Sequence, residues 1–374
     1  MAKFRQKNKG SLTLPVSQPR RQNPFGIIEN YSPLSGASYR LYYALREAVP
    51  LIDAAVSKTV RLTGGFTVKC GSSSAQAFLD REFARLPVGG NRQGISAFIE
   101  SFLEQLLTCG TALGEVVTDI YGRPAGLFNT PLEGIELRRA ENGFDTDIFV
   151  LDSEGERKVR RRDLCLLSVL SPDPGALTGN SMLKGLPFVS GILLKIYSSI
   201  GENWERAGNL RYAVTYNPGS DPAGKSFAKE RARQIAEQWS SAMKKGSETR
   251  DFVAVGDVRI SVIGADAGVL DSEVPVRQML EQIVAKTGLP PFMLGLSWSS
   301  TERMSAQQAD MLTSELESYR RILTPVILQI ARLYLESAGF RDEPEVVWDE
   351  ISLQDEVEQS RALLYRAQAQ KITD

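Results

Sequence analysis

The chain has 374 residues, of which 42% are hydrophobic and 24% charged, and 44 basic against 45 acidic side chains leave a formal net charge of −1. It contains no histidine, which removes Ser-His and Cys-His nucleophilic sites, HExxH zinc sites and histidine acid–base catalysis in one step. The near-neutral balance argues against a domain that clamps nucleic acid through a large basic excess, and no run of eighteen apolar residues is present to span a membrane.

Residues 1–24 carry Lys3, Arg5, Lys7, Lys9, Arg20 and Arg21 with no acidic residue. Without an apolar h-region this is not a secretory signal. It reads as a disordered arm, or as one that grips a neighbouring subunit or a phosphate. From Ser38 to about Thr63 the apolar positions Leu41, Tyr42, Leu45, Val49, Ile52, Val56, Val60 and Leu62 predict a helix that Pro50 should break or kink. Gly64-Gly65 then turns into a strand, Phe66–Cys70. Helices are expected over Ala75–Arg85 and Ile95–Cys109, and strands over Ala112–Asp119, Gly134–Arg138, Asp147–Leu151, Glu156–Val159 and Leu164–Leu170. The first 170-odd residues therefore read as a compact α+β domain. Cys70, Cys109 and Cys165 are widely spaced and form no CxxC pair. Reduced, mostly buried thiols of a cytosolic product are expected, rather than a disulfide or a metal site.

The next segment, Leu177–Arg211, opens LTGNSML and continues as a helix with Leu183, Leu186, Val189, Ile192, Leu193, Ile196, Tyr197, Ile200 and Trp204 on its apolar positions. Asn180 or Ser181 can cap it. Residues Gly219–Ser226 satisfy the P-loop pattern GxxxxGK(S/T). They follow a possible strand, Arg211–Tyr216, and precede a helix, Phe227–Met243, while Phe252–Asp257 mimics an apolar strand ending in a Mg²⁺-binding Asp. Two features oppose nucleotide binding. Asp221 and Pro222 sit where backbone N–H groups should cradle phosphate, one repelling the anion and the other lacking the donor. The surroundings also lack the alternating βαβ units of a parallel sheet. The blander expectation is a turn with Ser226 near the helix N-cap. That helix places Ile235, Trp239 and Met243 on one face, with Lys225, Lys229, Arg231, Arg233, Lys244 and Lys245 elsewhere, as a solvated face or one that meets a partner. Phe252–Val255 and Val258–Ile263 read as a strand pair.

Beyond Glu273 a short amphipathic helix carries Val276, Met279, Leu280, Ile283 and Val284. Gly288 suits its C′ position, and Pro290-Pro291 forbid continuation. A loop over Met293–Ser300 holds Trp298 among serines, and Ser299 with Glu302 fits a capping box. The helix it opens presents Met304, Met311, Leu312, Tyr319, Ile322, Leu323, Val326, Ile327, Ile330, Leu333 and Tyr334. At ~1.5 Å per residue it would reach about 50 Å, bent or loosened near Pro325. Glu345–Trp348 is a further candidate strand, and Asp355–Ile372 a polar helix with Leu363 and Leu364.

In order, the GFTV strand, the helix ending GTALGEVV, a strand meander through RPAGLFNTPLEGIEL, the Gly-x-Ser-x-Leu opening at Gly179, the GLPPFMLG run at Gly288 and the long helix with a central proline resemble the portal proteins of tailed bacteriophages. The resemblance covers roughly residues 38–372. It implies an α+β portal fold: a basic arm (1–24), a wing domain (25–176), a first stem helix (177–210), a small α/β clip (211–268), a second stem helix (269–291), a tunnel loop (292–303), a long kinked wing helix (304–345) and the start of a short or truncated crown (346–374). Gly295, Leu296, Ser297, Trp298, Ser299, Ser300, Thr301, Glu302 and Arg303 would line the DNA tunnel. Lys225, Lys229, Arg231, Arg233, Lys244 and Lys245 would form the clip surface that meets a motor or adaptor. The family assembles as a ring, typically of twelve subunits, at one capsid vertex of the virion after assembly in the host cytoplasm. It passes double-stranded DNA, and it docks the terminase motor, capsid and tail proteins. It performs no chemistry and needs no cofactor or metal. Near-neutral charge suits a channel, because each released counterion would add friction to sliding DNA.

Overall fold

In the computed structural model, which describes residues 39–153, 155–208, 211–216, 227–242, 258–263, 272–297 and 302–351, Pro50 divides the first helical run in two. Helix α1 (Tyr39–Ala48) ends at Val49, whose extended backbone turns the chain, and α2 (Pro50–Leu62) starts on the proline itself. There the missing N–H costs nothing, because the first turn of a helix leaves that donor unused. After the turn at Gly64 come β1 (Phe66–Lys69) and α3 (Ser73–Arg85), the latter capped by Ser72, whose Oγ accepts from the Ala75 N–H. Short strands β2 (Pro87–Val88) and β3 (Arg92–Gln93) lead into α4 (Ile95–Cys109). Strands β4 (Thr111–Thr118), β5 (Pro124–Asn129), β6 (Ile135–Arg139), β7 (Thr146–Asp152), β8 (Gly155–Lys158) and β9 (Cys165–Val169) follow. They form a five-stranded sheet in the order β3-β2-β5-β4-β9 and an antiparallel three-stranded sheet β6-β7-β8.

Helix α4 is the centre of the core. Phe98, Phe102, Leu103, Leu106 and Leu107 are at most 1% exposed, and a helix apolar on nearly every side must be covered all round. Gly114 in β4 makes room for it, because a Cβ there would sit 2.6 Å from Phe98 Cζ. Gln105 ties the helix to the sheet by donating to Thr130 O (2.8 Å) and accepting from the Leu113 N–H (3.0 Å). Arg46 of α1, 9% exposed, binds Asp53 of α2 and Glu104 of α4, each at 2.7 Å, and Thr108 Oγ1 at 3.0 Å. Burying a guanidinium is tolerable only with such partners.

The chain continues through α5 (Leu186–Gly208), β10 (Arg211–Tyr216), α6 (Ala228–Ala242), β11 (Val258–Ile263), α7 (Glu273–Thr287) and α8 (Glu302–Ser337) to β12 (Glu345–Trp348). The 36-residue α8 buries Leu312, Leu316, Tyr319, Leu323, Val326, Ile327, Ile330 and Tyr334, packing against α3, α4, β9 and β12. Strand β12 pairs antiparallel with β1, matching Phe66 to Trp348. The last long helix thus completes a core begun two hundred residues earlier. Arg320 fixes the join: 4% exposed, it donates to Thr63 O at 2.8 Å and lies 5.1 Å over the Trp348 ring.

Several expectations change. Helix α5 starts at Leu186, not near Ser181, because residues 179–182 are engaged by α4. The partner of β11 is β10, in antiparallel register from Arg211↔Ile263 to Tyr216↔Val258; Phe252–Val255 lies outside the described residues. Strand β5 lies in the stretch RPAGLFNTPLEGIEL, where the portal resemblance implied a strand meander and the alternation of residues alone singled out no strand. Helix α8 continues through Pro325, the point at which a bend or loosening is expected. The proline and Arg321, whose carbonyl loses its partner, are both on the exposed face, so water can satisfy that carbonyl. Met304 and Met311 continue the apolar spacing yet are 49% and 75% exposed. The cysteines are unpaired, Cys109 and Cys165 buried and Cys70 half-buried. Burial pushes the Cys109 thiol up to about 11, against the lowering effects of the Tyr43 hydroxyl and Arg46. The arm (1–24) and the expected Asp355–Ile372 helix lie outside the described residues.

Candidate functional site

The motif GNSML has a job that its sequence context hides. The last carbonyls of α4 have no partner within the helix. Gly110, in the left-handed region at φ 76°, returns its N–H to Leu106 O. The next two carbonyls are satisfied from across the chain: Met182 N–H donates to Leu107 O at 3.0 Å and the Ser181 hydroxyl to Thr108 O at 2.6 Å. Gly179 lies backbone-on-backbone against Gly110 and Leu170, with Asn180 N–H donating to Leu170 O and Leu170 N–H to Gly110 O, both at 2.7 Å. The segment is a foreign cap for the core helix, and it fixes the point from which α5 departs.

From that anchor the chain goes out along α5 and returns along α7, the two helices packing together. Leu186, Ser190 and Leu193 are buried on α5, as are Ile283 and Thr287 on α7. Between them lie β10, α6 and β11, with α6 against β10. On α6, Lys229, Arg231 and Arg233 are exposed, and Arg233 pairs with Glu237 at 3.1 Å. Lys225, Lys244 and Lys245, and the motif Gly219–Ser226, lie outside the described residues.

The return end is built as the prolines dictate. Gly288, at φ 70°, closes α7 with its N–H on Val284 O at 3.0 Å. Leu289 is 1% exposed and locks the corner. Pro291–Leu294 forms one 3-10 turn ended by Gly295 at φ 78°, with Leu296 N–H donating to Pro291 O at 3.0 Å. Both α7 and this turn rest on α2. Gly295 and Ser297 are exposed and Leu296 half-buried. Trp298, Ser299, Ser300 and Thr301 lie outside the described residues. Glu302 and Arg303 lie in α8 rather than in the loop.

On this single chain large apolar side chains stay open along the same excursion: Leu194 (40%), Tyr197 (44%) and Trp204 (66%) on α5, Val274 (59%) on α7, Phe292 (50%) after it, and Met304 and Met311 on α8. Among the described residues no three His, Cys, Asp or Glu side chains come together as a metal site, and no helix is long and apolar enough to cross a membrane.

No family model matches the chain, and no curated protein matches its sequence. In structure it is similar to a chain in the virion of a native gene transfer agent particle, with 14% identity and a TM-score of 0.62 over 92% of this chain and 94% of that one. A chain in the neck of the native particle, computed with C12 symmetry, matches at 15% identity and 0.62 over 90% of each. One in the neck of the empty particle, computed with C6 symmetry, matches at 14% and 0.64 over 87% and 88%. An HK97-family phage portal protein from Corynebacterium diphtheriae aligns loosely, at 12% identity and 0.42, over 81% of this chain and 94% of that one. The α+β fold is therefore one found in the virion and neck of gene transfer agent particles.

Proposed function

We propose that the chain is a portal protein, the subunit of a ring in the neck of a tailed-phage-like particle. The ring, of about twelve copies, would conduct double-stranded DNA into and out of the capsid and dock terminase on one side and capsid and tail proteins elsewhere. The observation that carries this reading is the shared fold with a chain of a C12-symmetric particle neck, over nine-tenths of both chains. The open apolar side chains from α5 to the start of α8 support it, since a ring of copies would cover them. In this reading the segment 25–176, joined by α8, is the wing, α5 and α7 are the stem, residues 211–268 the clip with its basic α6 face, and residues 292–301 the tunnel loop. Residues 346–374 begin the crown. The protein would work as a passive conduit in the virion, assembled in the host cytoplasm. Native mass measurement tests the assembly: a species of about twelve times 41.2 kDa is expected, and monomer alone at every concentration and salt would overturn it.

The P-loop pattern at Gly219–Ser226 has no role in this reading. Its preceding strand, β10, pairs antiparallel with β11, whereas nucleotide-binding α/β folds are built on parallel neighbours. Lys225→Ala should leave assembly and packaging within about twofold of the unmodified protein, since most single substitutions away from a core or a site change little. Loss of nucleotide binding and of packaging in that variant, with the ring intact, would reverse this assignment.

A further inference from the structure

A cleft of about 650 Å³ opens where the three-stranded sheet meets β4 and β9. Its lining is apolar at Leu113, Ile135, Ile148, Val150 and Leu164, and carries four cations, Arg157, Lys158, Arg160 and Arg161, against one carboxylate, Glu115. From Arg157 to Arg162 five of six residues are basic and none is acidic; all five are exposed. Lys158 and Arg161 have local carboxylates, Asp147 at 2.5 Å and Asp163 at 2.7 Å. Arg160 makes no ion pair among the described residues.

The same chain carries the complement. From Asp342 to Glu350 five of nine residues are acidic and none is basic. Asp342 accepts from the Ser72 N–H and Glu343 pairs with Arg332. Glu345, Asp349 and Glu350 are exposed and make no ion pair among the described residues. Half-buried Ile351 follows directly. The basic cleft belongs to β8 and the turn after it, the acidic strap to β12 and its end, on different sheets. Two unlike, complementary patches on one subunit are what a head-to-tail contact requires.

We infer that the cleft receives the acidic strap of a second copy, so that these two patches set the register between neighbours in the ring. The inference rests on the ring reading and names part of its interface. A strap fits better than a nucleic-acid backbone. The lining offers apolar surface that a side chain such as Ile351 could fill and phosphates could not, and two of the cations are already held by carboxylates. Exposed ion pairs add little affinity singly, but like charges brought together oppose association strongly, so the contact would act chiefly on partner choice and register.

Charge reversal in alternating copies tests it. Arg157→Glu with Arg160→Glu and Arg161→Glu leaves two basic and three acidic residues over 157–162, so that cleft and strap are both acidic, and Glu345→Lys with Asp349→Lys and Glu350→Lys leaves two acidic and three basic residues over 342–350, so that both are basic. Each triple variant alone should raise the protein concentration for half-assembly by at least about tenfold at low salt. An equimolar mixture should restore rings, because alternating subunits place opposite charges at every contact and an even-numbered ring closes. Rescue by mixing also shows that both variants are folded. Unimpaired assembly of either variant alone, or no rescue on mixing, overturns the inference. So does normal assembly with weakened retention of a short DNA duplex, which would assign the cleft to nucleic acid. Each of these outcomes leaves the ring reading standing if the unmodified protein still forms rings.

Discussion

Replacing Ser299 and Ser300 by lysine should leave ring assembly intact and slow DNA translocation, with added salt relieving the defect. Residues 298–301 are the stretch between two anchored ends. The Pro290–Leu296 turn, locked by buried Leu289 and resting on α2, fixes one, and α8 opening at Glu302 fixes the other. If the stretch faces passing DNA, as the portal resemblance implies, hydroxyls there would touch phosphates weakly. Two added lysines per subunit, multiplied around a ring, would instead release many counterions on binding. Each phosphate contact steepens the salt dependence of affinity by about one unit of log–log slope, so a dozen or more contacts should slow sliding at least about tenfold at low ionic strength. Packaging at the unmodified rate under those conditions would show that the loop does not touch DNA.

The second large effect is on folding. Gly179→Ala should cost about 4 kcal/mol or more, at the far end of what single substitutions do, and lower the Tm by about 10 °C. An ideal Cβ at Gly179 would lie 2.1 Å from Gly110 O, 2.4 Å from Leu170 N and 2.5 Å from Leu170 O. All three are backbone atoms and cannot swing aside. Separating the segments would break the Asn180–Leu170 and Leu170–Gly110 hydrogen bonds and strip the cap from α4. Gly191→Ala in α5 meets nothing within 4 Å and serves as the control: a small gain in helix propensity and no loss of Tm. A Gly179→Ala protein melting within 2 °C of the control would mean that the α4 cap is not a keystone of the core.

These two sites show what the sequence could reveal. Periodicity placed α2, α3, α4, α7 and the body of α8, because their apolar stripes face one large core and local spacing reports that. Gly288, Pro290, Pro291 and Glu302 marked the ends of the loop, because the chemistry of helix stops and starts is local. What failed was tertiary. Ser181 reads as an N-cap by its neighbours, yet its hydroxyl goes to Thr108 O, since the carbonyls most in need of a donor belong to a helix seventy residues earlier. The pairing of β11 with β10 joins strands more than forty residues apart, which local spacing does not report. Met304 and Met311 keep the helical spacing after the covering elements have run out. The buried cluster around Arg46 had no signature at all, since an arginine two turns into an amphipathic helix ordinarily points to water.

The central claim is a closed ring around a channel, and end-on electron-microscope images of the purified protein test it most directly. The account predicts particles with a central hole and rotational symmetry of about twelve. Monomers, or small oligomers without a hole, under every condition of salt and concentration would contradict it.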